Sequence, residues 1–402
     1  MNICIFEDGK FGDFFPITLS RPIFELRTGT SSIYEKILHF FPGKKVFLKT
    51  RPYLEKTISG KRIFPSQHIP SEPALFFNGR LIPDKSLKQT IELALDETLF
   101  FSEDTLIAAK VRDARKFLRN LEKNDFNTFK KEKISAKTVE YLWDLLKYNG
   151  EEIKKEFSLF GNKAPLAQEN IIMLEEENIF TGDGVTIMPW TVLDAQDGPI
   201  IIDNGTTVMA NSFLKGPLYI GKNCVIKAGT RIYGPTSIGD VCKIGGELTA
   251  TIFQGFSNKQ HEGFIGHSYI GEWVNIGADT NNSDLKNNYK EVTVYINNKP
   301  VKTGLTFVGT FIGDHSKTAI NTVINTGTVI GFSSNIFGEG FPPKFVPSFS
   351  WGGKRKFSTY KIDDAIETAR KVMERRNVTM TEAYRKMMIE ILELTKTERV
   401  WA

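Results

Sequence analysis

The chain has 402 residues, of which 41% are apolar and 25% charged, and a formal net charge of +5. That length exceeds one ordinary core and points to two domains plus an appendage; the mild, scattered basic excess reads against nucleic acid and fits pockets for anionic small molecules. Three cysteines, Cys4, Cys224 and Cys242, are an odd number without paired spacing, which argues against a disulfide scaffold or zinc knuckle and suits a reducing compartment.

The opening Met1 to Phe6 has no basic region followed by a long apolar run and reads as a strand, not a secretion signal. No stretch of ~18 apolar residues occurs, so no membrane span and a cytoplasmic location are expected. Lys45 to Leu48 and Ala74 to Phe77 are further short apolar runs closed by polar or turn residues. Helical spacing appears over Ser86 to Leu95 and Lys137 to Phe157, where Val139, Leu142, Trp143, Leu146 and Ile153 recur on one side. Short strands alternating with helices predict a layered α/β domain over residues 1–165.

From about Ile179 the texture changes. Ile202, Val208, Leu214, Ile220, Ile226, Ile232, Ile238 and Ile244 fall at intervals of six, and the spacing returns in Ile270, Ile276, Ile312, Ile324, Ile330 and Ile336. A period of six belongs to neither a helix nor an ordinary antiparallel strand. It predicts a left-handed parallel β-helix of hexapeptide repeats over residues 175–345, each coil taking three hexads. Glycine follows many of these aliphatics, as in Ile220-Gly221 and Ile238-Gly239, which is expected to supply positive φ at the corners. Cys224 and Cys242 share a repeat phase with Thr206, Ser212, Thr230 and Thr236 and read as small stacked corner residues. Two stretches, Gly246 to Gly263 and Asp279 to Gly304, look like excursions from the prism. The second carries a hairpin pattern in Val292, Val294 and Ile296 with Asn297-Asn298 as its turn. Residues 346–402 read as a linker and charged helical tail, with Thr379 to Glu382 as a capping box, laid over an open end or edge of the prism.

A proton acceptor for an amine is sought among histidines, and His261 stands in the first irregular stretch beside Asn258 and Lys259. The run Ser257 to Asn275, with Asn-Lys-Gln-His, Ile-Gly-His-Ser-Tyr-Ile-Gly and Trp-Val-Asn-Ile-Gly-Ala, resembles the acetyltransferase half of the bifunctional N-acetylglucosamine-1-phosphate uridyltransferase/glucosamine-1-phosphate acetyltransferase family. The chain is most similar to a short-headed branch of sugar nucleotidyltransferases sharing Asn281 to Tyr289 and Gly340 to Lys344. The resemblance implies acetyl transfer from acetyl-CoA to an amino-sugar 1-phosphate, with His261 as base and Asn275 as a substrate contact. Lys259, Lys286 and Arg231 are candidates for the sugar phosphate, and Lys344, Lys354 and Arg355 for the coenzyme's phosphates. Phe264 stands where the family has a tyrosine. A homotrimer and a role in UDP-N-acetylglucosamine and cell-envelope synthesis are also implied.

For residues 1–165 the resemblance implies nucleotidyl transfer to a sugar 1-phosphate, with Gly9, Lys10, Arg21 and Arg27 at the nucleotide. The magnesium positions fall on Asn78, where the family has aspartate, and on Asn149, with Asp8 as a compensating carboxylate. An amide binds magnesium more weakly than a carboxylate, so a vestigial head is the alternative. Two rival readings stand beside these: a zinc lyase using His261, His267 and His315, and a non-enzymatic hexapeptide scaffold.

Overall fold

The computed structural model describes residues 1–58, 63–161, 170–354 and 356–400. The chain divides into two compact units: Met1–Phe11, Arg21–Leu26 and Ser31–Glu140 form the first, and Gly12–Ser20, Arg27–Thr30 and Tyr141–Ala402 the second. Among the described residues no helix is long and apolar enough to cross a membrane.

The first unit is built on a seven-stranded mixed sheet. Its order is Lys130–Lys133, Thr98–Ser102, Thr105–Val111, Ala74–Asn78, Asn2–Phe6, Val46–Lys49 and Ile63–Pro65. The strands Asn2–Phe6 and Ala74–Asn78 pair in parallel and are buried along their whole length, as their unbroken apolar runs require. Three helices accompany the sheet: α1 (Ile33–Phe40), α2 (Lys85–Leu93) and α3 (Ala114–Lys123). Each starts at a residue that satisfies free backbone amides: Ser32 with Glu35, Asp84, and Asp113. Phe117 of α3 packs edge-on against Phe76 with centroids 4.7 Å apart, closing one core.

The first compact unit ends at Glu140, short of the boundary expected near residue 165. Helix α4 (Leu142–Glu156) belongs to the second unit, because Ile153 and the following Phe157 pack with Phe180, Ile201 and Tyr219 of the coil.

The second unit is a parallel β-helix. Its strands stack into parallel sheets of six, nine and five strands, with four more strands continuing the third face after an interruption. Ile202 pairs with Ile220 and Ile220 with Ile238, one coil of eighteen residues per step. The inward aliphatics from Ile202 to Ile244 are completely buried and join one core cluster running from Ile179 to Val346. Such burial contributes roughly 1.5–3 kcal/mol per side chain. Cys224 and Cys242 are buried in an inner ladder, where Cys224 N donates to Thr206 Oγ1 and Ser257 N to Cys242 Sγ. Burial pushes the Cys224 thiol up to about 12, the state of an inert structural thiol.

Two expectations need correction. Gly246 to Gly263 does not leave the prism. The coil shortens there, so Ile238 pairs with Phe253 and Ile244 with Lys259, fifteen residues on rather than eighteen. The glycines after the aliphatics are not at positive φ; those corner positions go to residues such as Asn211, Asn223, Trp273 and His315. Glycine is required at Gly239 for a different reason, since a Cβ there would lie 2.0 Å from the Gln254 carbonyl oxygen of the next coil. The second excursion forms as expected: Thr293–Ile296 and Lys299–Lys302 pair antiparallel, and Asn297 and Asn298 turn at φ 49° and 60°.

After the coil, Lys356–Thr359 pairs antiparallel with Ser350–Gly353 and ends the third face. Helices α5 (Ile362–Glu374) and α6 (Glu382–Leu394) follow, with Thr381, not Thr379, capping α6 through its bond to Tyr384 N. They lie along a corner of the prism. Phe256, Trp273 and His315 stack there, Phe332 and Phe349 extend the aromatic ladder edge-on and tilted, and Tyr384 Oη sits 2.8 Å from His315 Nε2.

Candidate functional site

In the first unit the strands Asn2–Phe6 and Ala74–Asn78 deliver Asp8 and Asn78 to one place, and Arg80 joins them. Arg80 Nε and Nη2 lie 2.9 and 2.7 Å from Asp8 Oδ2, and Asn78 Nδ2 donates to the same oxygen at 2.9 Å. Asn78 Oδ1 accepts from Arg80 N, and Asp8 Oδ1 from Lys10 N. Glu140 also pairs with the Arg80 guanidinium. Burial raises the Asp8 carboxyl, but the bonds and charge of Arg80 outweigh it and hold the group below the usual carboxylate range. A guanidinium thus occupies the carboxylate that magnesium would need. Asn149 departs further: it is buried in the second unit, and its Oδ1 accepts from Gly29 N and Ser237 Oγ. Among the described residues no group of three or more His, Cys, Asp or Glu side chains is arranged for a metal. The donor set of Asp8, Asn78 and Asn149 does not fit magnesium.

The four expected nucleotide residues are divided between the units. Gly9 and Lys10 are exposed, in a stretch that coils as a 3-10 helix from Gly9 to Phe14. Arg21 is buried, its carbonyl accepting from Arg51, which also pairs with Glu7. Arg27 belongs to the second unit, where its guanidinium donates to the Thr30 carbonyl and lies over the Tyr219 ring. Its backbone amide bonds Tyr269 Oη and Gln254 Oε1.

In the β-helix His261 sits at the corner between Asn258–Lys259 and Phe264–Gly266. It is exposed, and its imidazole makes no hydrogen bond among the described residues. Two features fix the corner. Lys259 occupies an inward position in register with Ile244, and its Nζ donates to the carbonyls of His261 and Gly245 at 2.7 and 2.9 Å. Arg231 bonds Glu262 and Glu247, both at 3.3 Å. Both cations therefore hold the corner rather than stand open to a phosphate. Burial pushes the Lys259 amine down to about 8.

Seventeen residues beyond His267 lies Asp284, and the two meet at 2.8 Å from His267 Nδ1 to Asp284 Oδ2. Phe307 packs tilted against the His267 ring, with centroids 5.0 Å apart. This pair was not read from the sequence. Its signal is the coil period itself, since neighbouring rungs here also pair seventeen apart, as Leu248 does with Ile265. His315 is buried in the aromatic ladder, so the three histidines of the zinc reading have separate surroundings.

Asn275 is exposed on the third face, in register between Asn258 and Lys317, and lines a cavity of about 310 Å³ with Asn258 and Gln260. Lys286 Nζ is engaged by the Glu291 carbonyl within the arm. Burial and the charge of Lys286 hold the Lys344 amine below the ordinary lysine range. Lys354 lines a separate cavity of about 300 Å³ with Phe337, Glu339 and Lys356. Arg355 lies outside the described residues.

Residues 3–164 match the family model described as sugar nucleotidyl transferase. A stretch of 97 residues is 36% identical to the bifunctional sugar-1-phosphate nucleotidylyltransferase/acetyltransferase of Sulfurisphaera tokodaii, covering 24% of each chain, so the match spans about a quarter of that relative. Among solved structures, the UDP-N-acetylglucosamine acyltransferase of Francisella novicida aligns over 59% of this chain and 86% of its own, at 12% identity and a TM-score of 0.32. The Arabidopsis UDP-N-acetylglucosamine acyltransferase aligns over 58% and 82%, at 15% identity and a TM-score of 0.22.

Proposed function

We propose that this protein is a sugar-phosphate transferase whose β-helix moves an acyl group from coenzyme A to the amine of an amino-sugar 1-phosphate. The observation that carries this reading is His261: an exposed, unbonded imidazole on a corner fixed from beneath by Lys259 and from beside by Arg231 and Glu262. A neutral imidazole accepts the amine proton as nitrogen attacks the thioester carbonyl. The carbon–sulfur bond breaks, and the thiolate leaves and is protonated. Rigid placement is what such a base needs, because the gain comes from orientation as well as basicity. A homotrimer with the acyl donor between neighbouring prisms completes the reading, on the strength of the family resemblance.

The test is thiol release from acetyl-CoA with glucosamine 1-phosphate, comparing wild type with His261→Ala. Release by wild type and a loss of about 10²–10⁴-fold in the variant supports the assignment. No release by wild type with any amino-sugar phosphate sinks it and favours a scaffold.

His267 supports a second assignment of the base. Asp284 holds its Nδ1, which fixes the tautomer and leaves Nε2 to take a proton. The match of residues 3–164 to sugar nucleotidyl transferases supports nucleotide-sugar synthesis, of the UDP-N-acetylglucosamine type. The Arg80 clamp on Asp8 favours instead a head that binds sugar or nucleotide without turnover. Pyrophosphate release from a nucleoside triphosphate and a sugar 1-phosphate decides between them.

A further inference from the structure

The cavity on the third prism face is walled on two sides by cations. Lys243 and Lys317 project from rungs of the coil, separated by the rungs of Asn258 and Asn275. Arg375 and Arg376, the two residues after α5, close the other side. None of the four forms an ion pair among the described residues. Arg376 Nη2 donates to Asn258 Oδ1 at 2.7 Å, and Lys317 Nζ to the His315 carbonyl at 2.8 Å. The remaining lining is amide, aromatic and one aliphatic side chain: Gln260, Asn275, Phe256, Trp273 and Val372.

We propose that this cavity binds a diphosphate-bearing ligand, clamped between the coil lysines and the two arginines of the tail. Four cations around so small a space, with no carboxylate among them, repel one another. The charges of Arg376 and Arg375, together with burial, hold the Lys243 amine below its ordinary range, and burial pushes Lys317 down to about 8. The carbonyl end of α5 favours a positive charge near it and so accounts for one arginine, but not for lysines on the opposite wall. An anion relieves all four. Guanidinium forks match phosphoryl oxygens bidentately, and lysines serve as point charges. Two opposed pairs match two phosphoryl groups better than one, and the amides suit the hydroxyl or amide groups of an attached sugar or pantetheine. Nucleotide sugars and coenzyme A both carry this diphosphate. The site stands independently of which imidazole accepts the proton.

Calorimetric titration of the full chain with inorganic pyrophosphate tests it, with UDP and coenzyme A as separate arms that identify the natural source. Lys243→Gln on one wall and the double variant Arg375→Gln/Arg376→Gln on the other are compared with wild type and with His261→Ala. The expected result is binding by wild type and His261→Ala and about tenfold or greater weakening in each wall variant, with unchanged melting temperatures. Two results overturn the proposal: no binding of any of the three probes by wild type, or a wall variant that is folded and binds as tightly as wild type. A loss of thiol release in His261→Ala with intact pyrophosphate binding separates this site from the proposed catalysis.

Discussion

At the scale of single residues, the question is which imidazole works and what keeps it in place. His261 is open and, among the described residues, has no partner to orient its ring, whereas His267 has Asp284 at 2.8 Å. If His261 is the base, Asp284→Asn lowers kcat by less than about tenfold and leaves the pH profile in place; if His267 is the base, the same change costs on the order of 10²-fold or more and shifts the profile. Steady-state thiol release across pH distinguishes the two, and the expected outcome is the first. Beneath the corner, Lys259 carries a pH signature of its own. Its folded pKa, about 8, lies below the value of about 10.4 for a free lysine. Between those values the unfolded chain holds the proton and the folded one does not, so this residue's contribution to stability rises with pH across that window. Buried thiols such as Cys224 titrate above their ordinary range and oppose the trend. The clean readout is therefore a difference. Wild type gains stability relative to Lys259→Met as pH goes from about 8 to 10, measured by urea unfolding, and a flat difference would show that the amine is not desolvated.

At the scale of elements, the coil was legible because each inward position meets the same surroundings one turn later, so Ile202 to Ile244 repeat without a break. Legibility failed where the turn changed length. When Ile238 pairs with Phe253 and Ile244 with Lys259, a count in sixes loses phase and an intact coil reads as a loop. His267 and Asp284 were hidden by the same cause, since only a seventeen-residue step superposes them. The cation clamp was hidden for another reason: α5 meets the third face through tertiary packing, and no local pattern connects Arg376 with Asn258. In the first unit, Asn78 was read and its neighbour Arg80 was not, although only two residues separate them, because a buried guanidinium has no periodic signature. The glycines carry a prediction at this scale. Gly239→Ala forces a Cβ against the Gln254 carbonyl and should cost about 3 kcal/mol or more. Gly229, at φ 73° with open space around it, should accept asparagine within about 1 kcal/mol. Equal costs in denaturant unfolding would mean that backbone conformation, not coil approach, selects these residues.

At the scale of the whole molecule, the second unit recruits chain from far away in sequence. Thr28 Oγ1 donates to the Leu145 carbonyl, Gly29 N to Asn149, and Thr30 N to Glu156, at 2.8, 2.7 and 2.8 Å, all buried. Ser237 Oγ lies 2.8 Å from the Gly29 carbonyl oxygen, and Ser20 Oγ donates to Asp314 at 2.7 Å. A cut at residue 141 therefore removes partners from groups that the intact unit keeps dry, each worth roughly 1–3 kcal/mol when left unpaired, less whatever water recovers. Removing α4 as well uncovers Phe180, Ile201 and Tyr219. The expected order of melting temperature is the full chain, then fragment 141–402, then fragment 175–402, with the first step on the order of 5–10 °C. Calorimetry on the three checks it. A fragment 175–402 that melts with the full chain would return α4 to the first unit and restore a boundary near residue 165. His261, His267 and the cation cavity all lie beyond residue 175, so thiol release below the melting point should survive in fragment 141–402. Loss of release from a fragment that is still folded would place part of the acyl-transfer machinery in the first unit.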